Sequence, residues 1–253
     1  MNPVAHDQRP IEIWVEGGPM AGMLHDPVGD GPLAGLGVVV ASGGLSRRVG
    51  LHRMYLLAAR TLADYGATVL RFDRPGIGES EGALREVTPA GRASLDLESA
   101  AELGAAVDLL ASQRRVEAIA LLGHCSGGRR AILWAARDRR IQGVGTWAMP
   151  FRQDREAAPS PELAEAVRRV IERDLPGLWI YGTRDPALGE FNTFLESLSG
   201  PARDRTARRW TVCVVTDANH DFTSIAWTEQ VIEATRDWMV ILATSRRSRV
   251  SGR

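Results

Sequence analysis

Three residues that together could perform nucleophilic catalysis each follow a different apolar segment of the chain. Cys125 stands in the stretch Gly-His-Cys-Ser-Gly, Asp185 in "TRDPA" and His220 in "ANHDF". A thiol attacks carbonyl carbon once an imidazole takes its proton, and a carboxylate can orient that imidazole. We therefore predict that Cys125 is the nucleophile, His220 its base and Asp185 the orienting acid.

Other residues compete for these roles. Ser126 is the second candidate nucleophile, but a turn centred on it would need a small residue where His124 stands. Asp217 is the second candidate acid, although it lies close in sequence to the candidate base. Cys213 lies within the apolar stretch "TVCVV" and is predicted to be structural. A buried structural thiol is also the alternative interpretation of Cys125.

The predicted scaffold brings these strand-end residues together. From residue 35 to residue 243, β-branched apolar runs alternate with segments of helical periodicity, and an antiparallel pair precedes them. This alternation predicts a doubly wound, mostly parallel sheet, whose ligands bind at the carboxyl ends of the strands. The predicted strands are 11–17, 20–27, 35–42, 67–73, 116–123, 141–150, 177–182 and 209–217, and the predicted helices are 51–66, 94–112, 127–138, one within 161–176, 186–200 and 227–243.

Composition narrows the function class. The formal net charge is zero, which argues against binding to nucleic acid or to a membrane surface. The chain has no lysine, which excludes Schiff-base catalysis and a lysine general base. Its two cysteines do not suggest a secreted disulfide scaffold, and the N-terminal stretch lacks the pattern of a signal peptide. We expect a cytoplasmic protein that uses neither a metal nor a cofactor.

The stretch around Cys125 resembles the Gly-x-Ser-x-Gly nucleophile elbow of the α/β-hydrolase superfamily, with Cys in place of Ser. The chain order of nucleophile, acid and base is also that of this superfamily, and the resemblance covers roughly 11–243. It implies a sheet of the α/β-hydrolase type in a single domain over 1–245. It also implies a short cap insertion at 150–176, and we expect a disordered tail at 246–253.

Within this superfamily, the chain resembles two groups of proteins more closely. The Cys at the elbow is similar to the dienelactone-hydrolase branch. The stretches "SRRVGLHRMYLLAARTLADYG", "VLRFDRPGIGESEG" and "ANHDFTS" are similar to small hydrolases that accompany exosortase systems. Cys-elbow proteins of this kind also occur in polyketide and tetronate pathways. The resemblance makes Asp73, which ends the predicted strand 67–73, a loop-fixing residue.

The resemblance also implies an oxyanion hole. Its first donor is the backbone amide of Ser126, and its second is the amide of Gly44 or Leu45 in the loop "SGGLS". Substrate contacts are predicted for three residues near the mouth of the site, with a merely solvated basic face as the alternative for the arginines. These residues are His52, Arg47 and Arg48.

The predicted reaction is cleavage of an acyl ester or thioester of a small molecule through an acyl-Cys intermediate. An acyltransferase and a lyase that eliminates acetate or another carboxylate from an acylated polyketide or tetronate are the alternatives, as is a non-catalytic ligand-binding protein. An acyl carrier protein is the macromolecular partner that the transfer chemistry suggests.

Overall fold

The β-branched runs form the inner strands of one eight-stranded sheet in a computed structural model that describes residues 6–83, 101–152 and 159–251. The strands are β1 His6–Val15, β2 Gly18–Pro27, β3 Leu36–Ala41, β4 Thr68–Phe72, β5 Ala118–His124, β6 Ile141–Trp147, β7 Gly177–Gly182 and β8 Trp210–Val215. Their spatial order is β1-β2-β4-β3-β5-β6-β7-β8, and β2 runs antiparallel to both of its neighbours. All neighbouring pairs from β4 to β8 in this order are parallel.

Helices cover both faces of this sheet, as the predicted α/β architecture requires. The helices are α1 Met54–Asp64 after a 3₁₀ turn at Leu51–Arg53, α2 Ala101–Ala111, α3 Ser126–Ala135, α4 Pro161–Glu172, α5 Pro186–Ser197, α6 Gly200–Arg209 and α7 Ile225–Ser251. Helices α1 and α7 pack on one face of the sheet, and α2 to α5 pack on the other.

Strand β3 shows why the inner strands read as continuous apolar runs. Val38 and Val40 pack beneath α1 and α7, whereas Val39 between them packs into the opposite core. A parallel strand covered on both faces buries every side chain, so no polar alternation remains in its sequence.

The C-terminal half differs from the predicted elements in two places. Helix α6 was not predicted, because its sequence is mostly polar and Thr206 is its buried residue. The disordered tail predicted at 246–253 is wrong for its described residues, because α7 continues to Ser251. Arg246 and Arg247 attach that last part of α7 to the body of the domain.

The predicted cap at 150–176 is also corrected in part. Helix α4, the one helix in it, buries Leu163, Val167 and Val170 in the core shared with α3, so it belongs to the helix layer. The described residues do not include 153–158 of the predicted cap. They also do not include 94–100, the first part of the predicted helix 94–112. Among the described helices, none combines the length and apolar character needed to cross a bilayer.

Candidate active site

Cys125 occupies a sharp turn between β5 and α3. Its backbone has φ 51° and ψ −124°, a combination that residues with a side chain rarely adopt. Its amide donates to the carbonyl of Trp147 at 2.8 Å, and its own carbonyl accepts from the Gly128 amide at 3.0 Å. The turn holds the thiol at the carboxyl edge of the sheet, half-buried at the start of α3.

The glycines on either side of this turn have no room for a side chain. A Cβ at Gly123 would lie 2.4 Å from the carbonyl carbon of Gly127. A Cβ at Gly127 would lie 2.2 Å from the carbonyl oxygen of Ala41 in β3. The close approach of α3 to β3 and β5 therefore depends on both glycines.

His220 and Asp185 meet from two neighbouring loops. His220 Nδ1 donates to Asp185 Oδ1 at 3.0 Å, and the Asp185 side chain is 1% exposed. Asp185 also caps α5, because the same oxygen accepts from the Ala187 amide at 3.0 Å. The cap fixes the carboxylate, and the carboxylate fixes the imidazole.

The predicted trio is brought together in the structure. His220 is hydrogen-bonded to Asp185, and Cys125 lies near enough to influence its protonation. Burial alone would lower the pKa of His220, but the interactions with Asp185 and Cys125 raise it to about 10. Asp217 pairs instead with Arg184 at 2.9 Å on the surface.

The predicted oxyanion loop needs one correction. The amide of Gly44 donates to Ser126 Oγ at 2.7 Å, so it does not point to an open position. The Gly43 amide donates to Tyr55 and the Ser46 amide to the Gly43 carbonyl, both at 3.0 Å. The amide of Leu45 makes no hydrogen bond with another described residue.

Ser126 faces the same loop. Its side chain is buried, and its hydroxyl oxygen accepts from Gly44, which weighs against Ser126 as the nucleophile. Its backbone amide, the first of α3, makes no hydrogen bond with another described residue. Helix-starting amides lack an intrahelical partner, so this donor is available. The predicted pair of oxyanion donors thus narrows to the amides of Ser126 and Leu45.

Arg48, which is predicted to contact substrate, is engaged with other residues of the protein. Its guanidinium pairs with Asp73 and Glu79, and its amide also donates to Asp73. Asp73 is fully buried and ties the loop after β4 to the loop after β3, which is the loop-fixing role expected of it. Arg47 and His52 are exposed, and their contact with substrate stays a prediction.

Two buried arginines that the sequence reasoning missed hold the oxyanion loop from behind. Arg130 donates to the carbonyl of Ser42, and Arg74 donates to that of Gly44 at 2.7 Å. Burial, together with the charge of Arg74, lowers the pKa of Arg130 to about 9. For Arg130, the signal in the sequence was its place beside Arg129 near the start of the predicted helix 127–138.

Tyr55 and His124 were also missed as parts of the site. Tyr55, on α1, accepts the hydrogen bond from Gly43 and lies 3.4 Å from His124 Nδ1. His124 packs beneath the turn at Cys125, and burial lowers its pKa to about 4. No motif could show these contacts, because they join residues 12 and 69 positions apart.

One trio of side chains has the residue types of a metal site. Possible ligand atoms of His124, His220 and Asp221 lie within 4.8 Å of one another. Both imidazoles are already engaged, His220 by Asp185 and His124 by the carbonyl of His220 at 3.1 Å. A metal at this position would have to displace these contacts, so the trio fits its present hydrogen bonds better than it fits a metal site.

The chain matches the model of a hydrolase family, Hydrolase_4, described as serine aminopeptidase, S33, over residues 37–240. A comparison with curated proteins found no match.

Solved structures with the same fold include several hydrolases. A dienelactone hydrolase from Anabaena variabilis is 21% identical, with 92% of this chain and 96% of that chain covered and a TM-score of 0.68. Est1E from Butyrivibrio proteoclasticus, solved with ferulic acid, is 18% identical, with 92% and 99% covered and a TM-score of 0.69. An α/β serine hydrolase without lid from Xanthomonas campestris is 20% identical, with 92% and 95% covered and a TM-score of 0.65.

Proposed function

Because the chain belongs to the serine aminopeptidase S33 family of α/β hydrolases and carries a thiol at the elbow, we propose that it cleaves acyl esters or thioesters through an acyl-Cys125 intermediate. The observation that carries the proposal is the arrangement of a buried Asp185 hydrogen-bonded to His220 and of His220 beside the strained turn of Cys125. A structural thiol would need neither the imidazole nor the buried carboxylate behind it.

The first half of the reaction forms the acyl-enzyme. Since Nδ1 of His220 faces Asp185, Nε2 is the atom that takes the thiol proton of Cys125. The thiolate adds to the substrate carbonyl, and the amides of Ser126 and Leu45 stabilise the negative oxygen. His220 then gives its proton to the departing alcohol or thiol, and the acyl group stays on sulfur.

The second half releases the acid. Water adds to the thioester while His220 takes one of its protons, and the same two amides stabilise the new oxyanion. Collapse of the tetrahedral species expels the Cys125 thiolate, which regains the pair with His220. The His220 side chain is 34% exposed, so water has access to the base.

Intact-protein mass spectrometry tests the proposal. Mixing the protein with 4-nitrophenyl acetate should add one acetyl group, and neutral hydroxylamine should remove it because it is a thioester. Cys125→Ala should abolish the adduct, whereas Cys213→Ser, the matched change at the other free thiol, should retain it. An acetyl group that survives Cys125→Ala, or no adduct on the unaltered protein, would refute the proposal.

Analysis of the released products and of turnover separates hydrolysis from the alternative reactions. In water labelled with ¹⁸O, hydrolysis places one labelled oxygen in the released acid. Acyl transfer predicts that an added amine or alcohol accelerates turnover and receives the acyl group. Elimination predicts an unlabelled carboxylic acid, and a binding protein predicts no turnover at all.

A further inference from the structure

A series of buried polar groups runs behind the candidate active site and connects its two halves. The Gly43 amide donates to Tyr55 Oη at 3.0 Å, and Tyr55 Oη lies 3.4 Å from His124 Nδ1. On the far side of the ring, His124 Nε2 lies 3.1 Å from the carbonyl oxygen of His220. The oxyanion loop and the backbone of the catalytic base are thus joined through two side chains.

The direction of each hydrogen bond follows from chemistry. A carbonyl oxygen only accepts, so His124 Nε2 must carry the hydrogen that binds His220. His124 is 3% exposed and neutral near pH 7, since burial lowers its pKa to about 4. A neutral imidazole has one N–H, which leaves Nδ1 as an acceptor for the Tyr55 hydroxyl.

The hydroxyl of Tyr55 is therefore committed as a donor, and its oxygen accepts from the oxyanion loop. One group of that loop binds it, the amide of Gly43. The carbonyl of the same residue accepts from the Ser46 amide at 3.0 Å, so Tyr55 holds the residue on which the turn that carries the Leu45 amide closes.

Tyr55 is well placed to fix the loop. It is 1% exposed, and its ring stacks on Trp147 with 6.3 Å between the ring centroids. The carbonyl of Trp147 is the acceptor for the amide of Cys125. One aromatic pair consequently packs against the oxyanion loop, the elbow and the ring of His124.

We propose that Tyr55 and His124 are positioning residues for this reaction: Tyr55 sets the oxyanion loop, and His124 sets the backbone of His220. The inference rests on the proposed function. It assigns the two residues to different steps, because Tyr55 acts where the oxyanion forms and His124 acts where the thiol is activated.

Two reactions of the same thiol separate these roles. Alkylation by iodoacetamide needs an activated Cys125 but forms no oxyanion, whereas acylation by 4-nitrophenyl acetate needs both. We expect Tyr55→Phe to slow acylation about 10- to 100-fold and alkylation by less than about threefold, since it loosens an oxyanion donor without removing it. Cys213→Ser serves as the background, so that Cys125 is the one thiol measured.

The His124 end is tested with one variant that lacks a hydrogen-bond donor and one that keeps a donor. We expect His124→Leu to slow both reactions about tenfold or more and to shift the pH profile of alkylation, because the acceptor on His220 loses a buried donor. His124→Gln should recover much of the alkylation rate, since its amide nitrogen can donate to the same carbonyl.

Tyr181→Phe is the matched control. Tyr181 is also fully buried, and its hydroxyl donates to the carbonyl of Met149 at 3.0 Å, so the change removes one buried hydrogen bond of the same kind. Its ratio of acylation to alkylation should equal that of the unaltered protein. An unchanged ratio in Tyr55→Phe as well, or equal rates for His124→Leu and His124→Gln, would overturn the proposal.

Failure of the proposed function gives a different result. If the unaltered protein is alkylated at Cys125 but not acylated there, the acyl-enzyme proposal is refuted and the assignment of Tyr55 falls with it. The pH profile of alkylation in the His124 pair still reports on the position of His220, because that readout needs no acyl substrate.

Discussion

At the scale of single residues, the candidate site works as a set of opposed charges held by hydrogen bonds. Asp185 is buried and fixed by its cap, so its negative charge faces His220 at a constant distance. The charged form of His220 is thereby favoured, and its pKa rises to about 10. An imidazolium that persists to high pH can protonate a leaving group across the neutral range.

Asp185→Asn should move the alkaline limit of the reaction to lower pH. Asp185 raises the pKa of His220, so its replacement by a neutral amide lets that pKa fall from about 10 towards the ordinary value of 6.5. The imidazolium is then lost earlier as pH rises, and acylation of Cys125 by an alkyl ester, whose leaving alkoxide needs a proton, should decline earlier too. Rates of ethyl acetate cleavage across pH 6 to 10 measure this limit, and an alkaline limit identical to that of Asp217→Asn would contradict the assignment.

At the scale of elements, the site exists because a helix and two strands approach unusually closely. Backbone atoms of α3, β3 and β5 meet at Gly123 and Gly127, where even a Cβ has no space. That contact sets the distance between the turn of Cys125 and the loop after β3, and so the distance between nucleophile and oxyanion donors.

Gly127→Ala should therefore cost about 3 kcal/mol or more of the free energy of unfolding, because backbone on both sides must shift. Gly189→Ala is the matched control in an exposed, open position of α5, where the higher helix propensity of alanine should stabilise by about 0.5–1 kcal/mol. Urea denaturation measures both. A loss at Gly127 no larger than about 1 kcal/mol would mean that the helix can move away from β3.

The sequence predicted the elements to the extent that each carries its own periodic signal. Strands β3 to β7 read as apolar runs, and the residues after β5, β7 and β8 could be placed at one edge of the sheet from the strand order alone. Helix α6 gave no such signal, because an exposed helix of mostly polar residues does not differ in pattern from a loop. Tyr55, Arg74 and Arg130 could not be assigned, since their roles depend on partners far away in sequence.

At the scale of the whole molecule, chemistry and anchoring lie at opposite edges of the sheet. The carboxyl ends of the strands carry Cys125, Asp185 and His220, whereas the C-terminal part of α7 is attached at the amino ends. There Arg246 pairs with Glu117 at 2.8 Å, and Arg247 donates to the carbonyls of Pro32 and Ala34 at 3.1 and 3.0 Å. A cavity of about 320 Å³ also lies at that amino edge, lined by Leu36, Ala118 and Trp238 among others, so it is not part of the candidate site.

Arg247→Ala should lower stability without affecting the thiol. It removes hydrogen bonds from a charged donor to backbone carbonyls, and because the side chain is exposed we expect a loss of about 1 kcal/mol. Arg208→Ala, an exposed arginine of α6, should stay within about 0.5 kcal/mol of the unaltered protein. The alkylation rate of Cys125 should be equal in all three proteins, and a slower rate in Arg247→Ala alone would show that the two edges are coupled.

At Cys125, selection for stability and selection for activity favour different residues because of the backbone conformation. A residue with a side chain held at φ 51° and ψ −124° costs about 1–3 kcal/mol, whichever side chain it carries. Glycine would relieve most of that strain and abolish the thiol. A mutant library screened only for soluble expression should therefore enrich Cys125→Gly, and inactive copies of such a gene would gain robustness as they lose their chemistry.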